Sequence, residues 1–191
     1  DTKNLNFLYN AIDVICNPSS AEGFGLSHME GIMAGKPTIS TVLGGLQDQM
    51  GFVVSDKDGD RDMNLSDFTS DTPSNSTGKI SKEHGQWTYP LWPQMNLQGS
   101  PQTPYIYDSR PNINDIADGI KYWYDLGPEE RQTRGLAGRD WAIKNGFTNK
   151  GMCDAAIESI ETCFDNFKPR KRYTLIDTTA KPKDLVRGIL I

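Results

Sequence analysis

DVICNPSSAEGFGLSHMEGIMAGKPTIS, residues 13–40, decides how the rest of this chain is read. Val14, Ile15 and Cys16 form a short apolar run ended by Asn17-Pro18, the pattern of a buried strand leaving into a loop. From Gly25 to Gly35 the period changes. Leu26, Met29, Ile32 and Met33 recur at helical spacing, and Gly35 and Pro37 stop them. Residues 37–42, PTISTV, are rich in β-branched side chains and predict a second strand. Strand, turn, helix and strand in that order imply two parallel strands joined by a helical crossover.

Upstream, NLNFLYNAI (4–12) places Leu5, Leu8, Tyr9 and Ile12 on one face of a helix. Downstream, LGGLQDQM (43–50) reads as a glycine turn followed by a short helical piece. Residues 55–104 differ. They are first polar and rich in Asp, Ser and Gly, then mix aromatics with prolines, and predict an insertion of loops and short elements. Regularity returns with a strand at 104–108 and helices at 112–126, 127–146 and 149–167. Asn112 or Asn114 is the candidate cap of the first of these, with Ile116, Ile120 and Trp123 as its apolar stripe. The second opens on Pro128 with two acids and closes on Gly146. The expected fold class is therefore α/β, a parallel sheet flanked by helices with a long loop-rich insertion.

The bulk numbers narrow the function. A chain of 191 residues suits one domain that needs no disulfide staples. Lys and Arg total 20 against 25 Asp and Glu, a net charge of −5, which argues against nucleic-acid binding because phosphate neutralisation needs a basic face. The three cysteines, Cys16, Cys153 and Cys163, fit no zinc or haem spacing. Cys16 is expected to be buried, and the compartment reducing, hence cytoplasmic. Asn64-Leu-Ser and Asn75-Ser-Thr are then chance matches to a glycosylation sequon.

A strand running through a glycine turn into a helix is a phosphate site by geometry. The first helical N–H groups lack internal partners, and the helix dipole adds partial positive charge. Gly23 and Gly25 let a ligand approach the main chain. Glu22 and Glu30 repel phosphate but accept well from hydroxyls. A sugar nucleotide has that layout, with hydroxyls on either side of a diphosphate.

Weaker signals have plainer readings. Asp56, Asp58, Asp60 and Asp62 mimic a calcium loop, but Arg61 stands where that loop needs glycine, so a solvated acidic loop is expected. Trp87, Tyr89 and Trp92 read as packing for the insertion rather than a platform for an acceptor sugar. His28 reads as a structural or exposed histidine of the motif helix rather than one facing a donor. Residues 168–172, KPRKR, read as a solvated helix end, with an acidic membrane surface as a weaker alternative.

With the glycine turns, the two glutamates with seven residues between them, AGKPTIS (34–40) and GGLQD (44–48), the chain resembles the nucleotide-binding half of retaining GT-B glycosyltransferases of the family 4 group. The match resumes from Tyr105 to residue 167 and leaves the insertion and tail outside. The resemblance implies a Rossmann-like domain divided as 1–54, an insertion at 55–104, the remainder at 105–167 and a tail at 168–191. It implies that Glu22 is the catalytic-centre residue, contacting the transferred sugar. The main chain of Gly23, Phe24, Gly25 and Leu26 would meet sugar and diphosphate, Glu30 the ribose hydroxyls, and Gly44 and Gly45 the donor from a second turn. The implied reaction moves a sugar from a UDP- or GDP-sugar to a glycan, lipid or protein acceptor hydroxyl with retention, with no cofactor and no bound metal. An amino-terminal GT-B domain and an Arg or Lys pair for the diphosphate would come from outside this chain, so alone it is expected to bind donor at most. The alternatives are a non-catalytic nucleotide-sugar binding module and a nucleotide-sugar isomerase on the same fold.

Overall fold

The computed structural model describes residues 2–99, 101–103 and 105–169. Residues 1–152 form one compact unit and residues 153–191 a second. In chain order the elements are α1 (Thr2–Ala11), β1 (Ile15–Asn17), α2 (Leu26–Met33), β2 (Thr38–Thr41) and α3 (Gly44–Gln47). A hairpin of β3 (Val53–Asp56) and β4 (Gly59–Asp62) follows, then β5 (Thr88–Leu91), a second hairpin of β6 (Gln94–Gln98) and β7 (Ile106–Arg110), and the helices α4 (Ile113–Asp125), α5 (Gly127–Lys144) and α6 (Asn149–Asp165).

The body of the first unit is a three-stranded parallel sheet in the order β1-β2-β5. All four residues of β2 are buried, because β2 is the central strand with helices on both faces. On one face, Met29 and Ile32 of α2 pack with Trp87 and with Ala142 of α5. Helix α5 lies close because its buried stripe is Gly135, Gly138 and Ala142. A Cβ at Gly138 would fall 2.4 Å from the Trp87 ring. On the other face Trp123 of α4 is buried against Ile39 and Leu91, and its Nε1 donates to the Thr38 carbonyl at 3.2 Å.

Two expectations change here. Cys16 is exposed, not buried. It lies opposite Ile39 on the α4 face, but β1 is an edge strand and α4 sits over β2 and β5. The outer face of β1 therefore opens onto a cavity of about 490 Å³ lined by Val14, Cys16, Ile120 and Trp123. Within the segment 55–104, expected as loops and short elements of an insertion, one short element, Thr88–Leu91, pairs with β2 and belongs to the main sheet. The strand expected at 104–108 forms as β7, but it pairs antiparallel with β6 in a separate hairpin.

The acidic run 56–62 is the β3–β4 hairpin itself, with Asp56 opposite Gly59. Arg61 bridges it to the following turn through Asp56 at 2.9 Å and Asp67 at 2.6 Å. Among the described residues no three His, Cys, Asp or Glu gather in a way that would hold a metal ion. Asn75 is fully buried. Its carboxamide donates to the Ser81 carbonyl and accepts from the Ile80 and Ser81 amides, so it is the knot of the insertion. The Asn75 amide in turn donates to Gln47 Oε1 at 2.9 Å, which ties the knot to α3.

In the second unit the described residues continue α6 and expose Ile157, Ile160, Phe164 and Phe167 at helical spacing. Of KPRKR, only Lys168 and Pro169 are among the described residues. Among the described residues no helix is long and apolar enough to cross a membrane.

Candidate functional site

Because β1 and β2 run in parallel, the loops that leave them emerge at the same end of the sheet. The first carries Gly25, which caps α2 in the left-handed region at φ 88° and ψ 59°. No side chain caps that helix, and the His28 amide already donates to the Gly25 carbonyl at 3.0 Å, so the Leu26 and Ser27 amides are those left to an external acceptor. The second loop carries Gly44 at φ 46° and Gly45. The two turns are mated. The Gly45 amide donates to the Gly23 carbonyl at 3.0 Å. A Cβ at Gly44 would lie 2.0 Å from the Glu22 carbonyl oxygen, and one at Gly45 would lie 2.4 Å from that of Gly23. Gly44 and Gly45 are thus required by close approach of main chain to main chain. Gly23 differs, because a Cβ there would meet nothing within 4 Å. The fold leaves open the space beside Gly23.

A buried relay fixes the first turn from below. Gln49 donates from Nε2 to the Phe24 carbonyl at 2.5 Å, and its Oε1 lies 2.8 Å from His28 Nδ1. With the amide oriented by Phe24, Oε1 is an acceptor, so His28 carries its proton on Nδ1. Trp87 Nε1 donates to the Gln49 carbonyl at 3.1 Å. Both Gln49 and His28 are fully buried. Among the described residues His28 Nε2 has no hydrogen-bond partner, as is also true of the buried Ser40 and Thr41 hydroxyls. Sequence reasoning left His28 as structural or exposed and overlooked Gln49, which follows the GGLQD run as an ordinary polar residue.

Burial holds the His28 pKa down to about 4 from 6.5, against the opposing pull of the Gln49 hydrogen bond and the Glu22 charge. An unfolded chain takes up this proton near 6.5 and the folded one near 4, so the folded state binds fewer protons in between. Its stability is therefore complete above pH 6.5 and falls as the pH drops toward 4. The loss attributable to His28 is expected to reach about 3 kcal/mol. Urea unfolding at pH 7 and pH 5 checks this: the decline in the native chain should be markedly smaller in His28→Leu.

Glu30 projects from the exposed side of α2. Tyr9 of α1 donates to its Oε2 at 2.6 Å. Burial, the hydrogen bond to Glu30 and its charge push the Tyr9 phenol up to about 12. Tyr9 thus stays protonated and holds one carboxylate oxygen, leaving Oε1 as a possible hydroxyl acceptor. Tyr9 was legible only as part of an apolar stripe, since a tyrosine on a helix face does not declare what its hydroxyl meets. Phe24, Leu26 and Glu30 line one cavity of about 530 Å³ with Met33, Phe147 and Lys150. Glu22 is not part of that lining. It is half-buried, and its Cγ is 3.5 Å from where a Cβ of Gly25 would stand. The structure therefore brings Glu22, Gly23, Gly44 and Gly45 together at the mated turns, and Phe24, Leu26 and Glu30 together along α2.

Residues 2–64, a third of the chain, match the model of the family described as glycosyl transferases group 1. The matched region holds α1, both glycine turns, α2, Gln49 and the first hairpin. It supports a glycosyltransferase of the GT-B type. Among curated proteins, none matches the chain.

Proposed function

We propose that this domain binds a nucleotide-diphosphate sugar and supplies the donor half of a retaining transfer to an acceptor hydroxyl. The observation that carries this reading is the uncapped N-terminus of α2 at Gly25, with Glu22 before it and Glu30 one turn or more inside it. The diphosphate would lie at the free amides of that turn, where the helix end contributes about half a positive charge. Gly23 leaves room for the sugar at the main chain. Glu30, held by Tyr9, accepts from ribose hydroxyls, and Glu22 accepts from hydroxyls of the sugar. In the transfer the bond between C1 and the diphosphate oxygen breaks, and its electron pair stays on the diphosphate. The acceptor oxygen bonds to C1 and passes its proton to the departing diphosphate oxygen. The preorganised amides stabilise the charge that develops on the leaving group, which then needs no side-chain acid at that oxygen. A second domain would supply the opposite wall of the cleft and the remaining diphosphate contacts.

Calorimetric titration of the chain with UDP, GDP and their hexose conjugates tests the donor reading. One base is expected to bind in preference to the other, and Glu30→Ala should weaken that nucleotide by about tenfold through loss of hydrogen bonds to a charged acceptor. A folded chain that takes up none of these nucleotides would overturn the proposal.

A further inference from the structure

A cavity of about 430 Å³ runs along the outer edge of β5, within the size range of small-ligand pockets. Three aromatic rings line it: Tyr89, Trp92 and Tyr122. Tyr89 and Tyr122 are tilted against each other with centroids 5.3 Å apart. Trp92 leans on Phe52, 5.9 Å away, and so on the cluster that contains Leu46 of α3. Trp92 directly follows β5, so this end of the cavity is at the end of the sheet from which the glycine turns leave. Trp87, the third aromatic of this segment that sequence reasoning singled out, is buried in the core instead.

Apart from the two tyrosine hydroxyls and the Trp92 indole N–H, the polar lining is made of acceptors. The Thr38 and Val42 amides donate to the Trp87 and Leu91 carbonyls, so the peptide groups of these odd-numbered positions face β2. Those of Thr88 and Pro90 face the other way, along the cavity. Pro90 has no N–H, and the Thr88 amide is already donated to the Gly85 carbonyl at 3.3 Å. This edge offers carbonyl oxygens and no spare donor, so it is closed to a further strand, which needs both. His84 Nδ1 is 3.0 Å from the Gly85 carbonyl. A carbonyl only accepts, so Nδ1 carries the proton of the neutral ring, and Nε2 is a lone pair. Asp115 adds a carboxylate, and no Lys or Arg is part of the lining. A phosphate would meet a like charge without a cation. A quaternary ammonium would satisfy the rings and Asp115 but offers nothing to the carbonyls or to His84.

We infer that this cavity is a carbohydrate subsite that takes a neutral pyranose: hydroxyls donate to Asp115, His84 and the β5 carbonyls, and the C–H faces of the ring lie on the aromatics. Only its assignment to the acceptor of the transfer rests on the donor reading above; the binding itself does not.

Saturation-transfer NMR on the whole chain tests it, with methyl glucosides, mannosides and galactosides at millimolar concentration as probes. Saturation is expected on the ring C–H protons of at least one glycoside. Asp115→Asn should weaken that binding by about tenfold, and Tyr122→Leu should also reduce it; Asp115 is half-buried and Tyr122 partly exposed on α4, and circular dichroism checks that both variants fold. No saturation from any glycoside, a signal unchanged in both variants, or saturation of choline in place of the glycosides would overturn the subsite. UDP and GDP titrated into the same samples read the donor site separately. Nucleotide binding without glycoside binding overturns the subsite and leaves the donor reading standing, and glycoside binding without nucleotide binding does the reverse.

Discussion

Replacing Gly44 by alanine is expected to destabilise the chain by about 4 kcal/mol, a fall in melting temperature of roughly 8–16 °C for a protein of this size. Two causes combine. An L-residue at φ 46° is in the left-handed region, which costs about 1–2 kcal/mol. The added Cβ would also lie 2.0 Å from the Glu22 carbonyl oxygen, a main-chain atom that cannot rotate aside. The two turns must separate to admit it, and the Gly45-to-Gly23 hydrogen bond goes with them. Gly23→Ala is the control, because its Cβ meets nothing within 4 Å. It is expected to change stability by less than about 0.5 kcal/mol while weakening any donor that approaches the main chain there. Thermal melts of both variants, followed by nucleotide titration, separate the two roles. Equal melting temperatures for the two variants would show that the turns are not mated as described.

Gln49→Leu is expected to cost about 3–5 kcal/mol, although it is close in volume and lies where no ligand reaches. The substitution strands the Phe24 carbonyl and the His28 Nδ1–H in a buried environment, each at about 1–3 kcal/mol. The double variant His28→Leu with Gln49→Leu removes one of the two stranded groups, so part of the loss should return. Urea unfolding of the two single variants and the double variant gives the coupling directly. Independent, additive costs would mean that the two side chains do not act as a pair. The same relay orients the Phe24 peptide above it, so nucleotide affinity is expected to fall in Gln49→Leu even at temperatures where the variant stays folded.

Much of the fold follows from local pattern. The β-branched run at 38–41 and the helical spacing of Leu26, Met29, Ile32 and Met33 are properties of neighbours in the chain, and both elements form where that spacing puts them. Long-range pairing is different. Thr88–Leu91 was hidden among prolines and aromatics because an edge strand tolerates Pro90 on its free side, and only the pairing with β2 makes it a strand of the body. Cys16 misled for the complementary reason: apolar neighbours suggest burial, but exposure depends on whether a helix from elsewhere covers that face.

The candidate site divides along the same line. The amino-acid sequence alone determined that a strand would turn through glycines into a helix, and that two carboxylates would flank the turn, because backbone freedom and side-chain chemistry belong to the residues themselves. Only the tertiary structure decided that Gly44 and Gly45 serve the partner turn, that Tyr9 holds Glu30, and that Gln49 with His28 supports Phe24. It also decided that Glu22 does not line the cavity that Phe24, Leu26 and Glu30 share. The first three relations join residues 21–25 positions apart in the chain, through contacts that only the packed helices and sheet bring together.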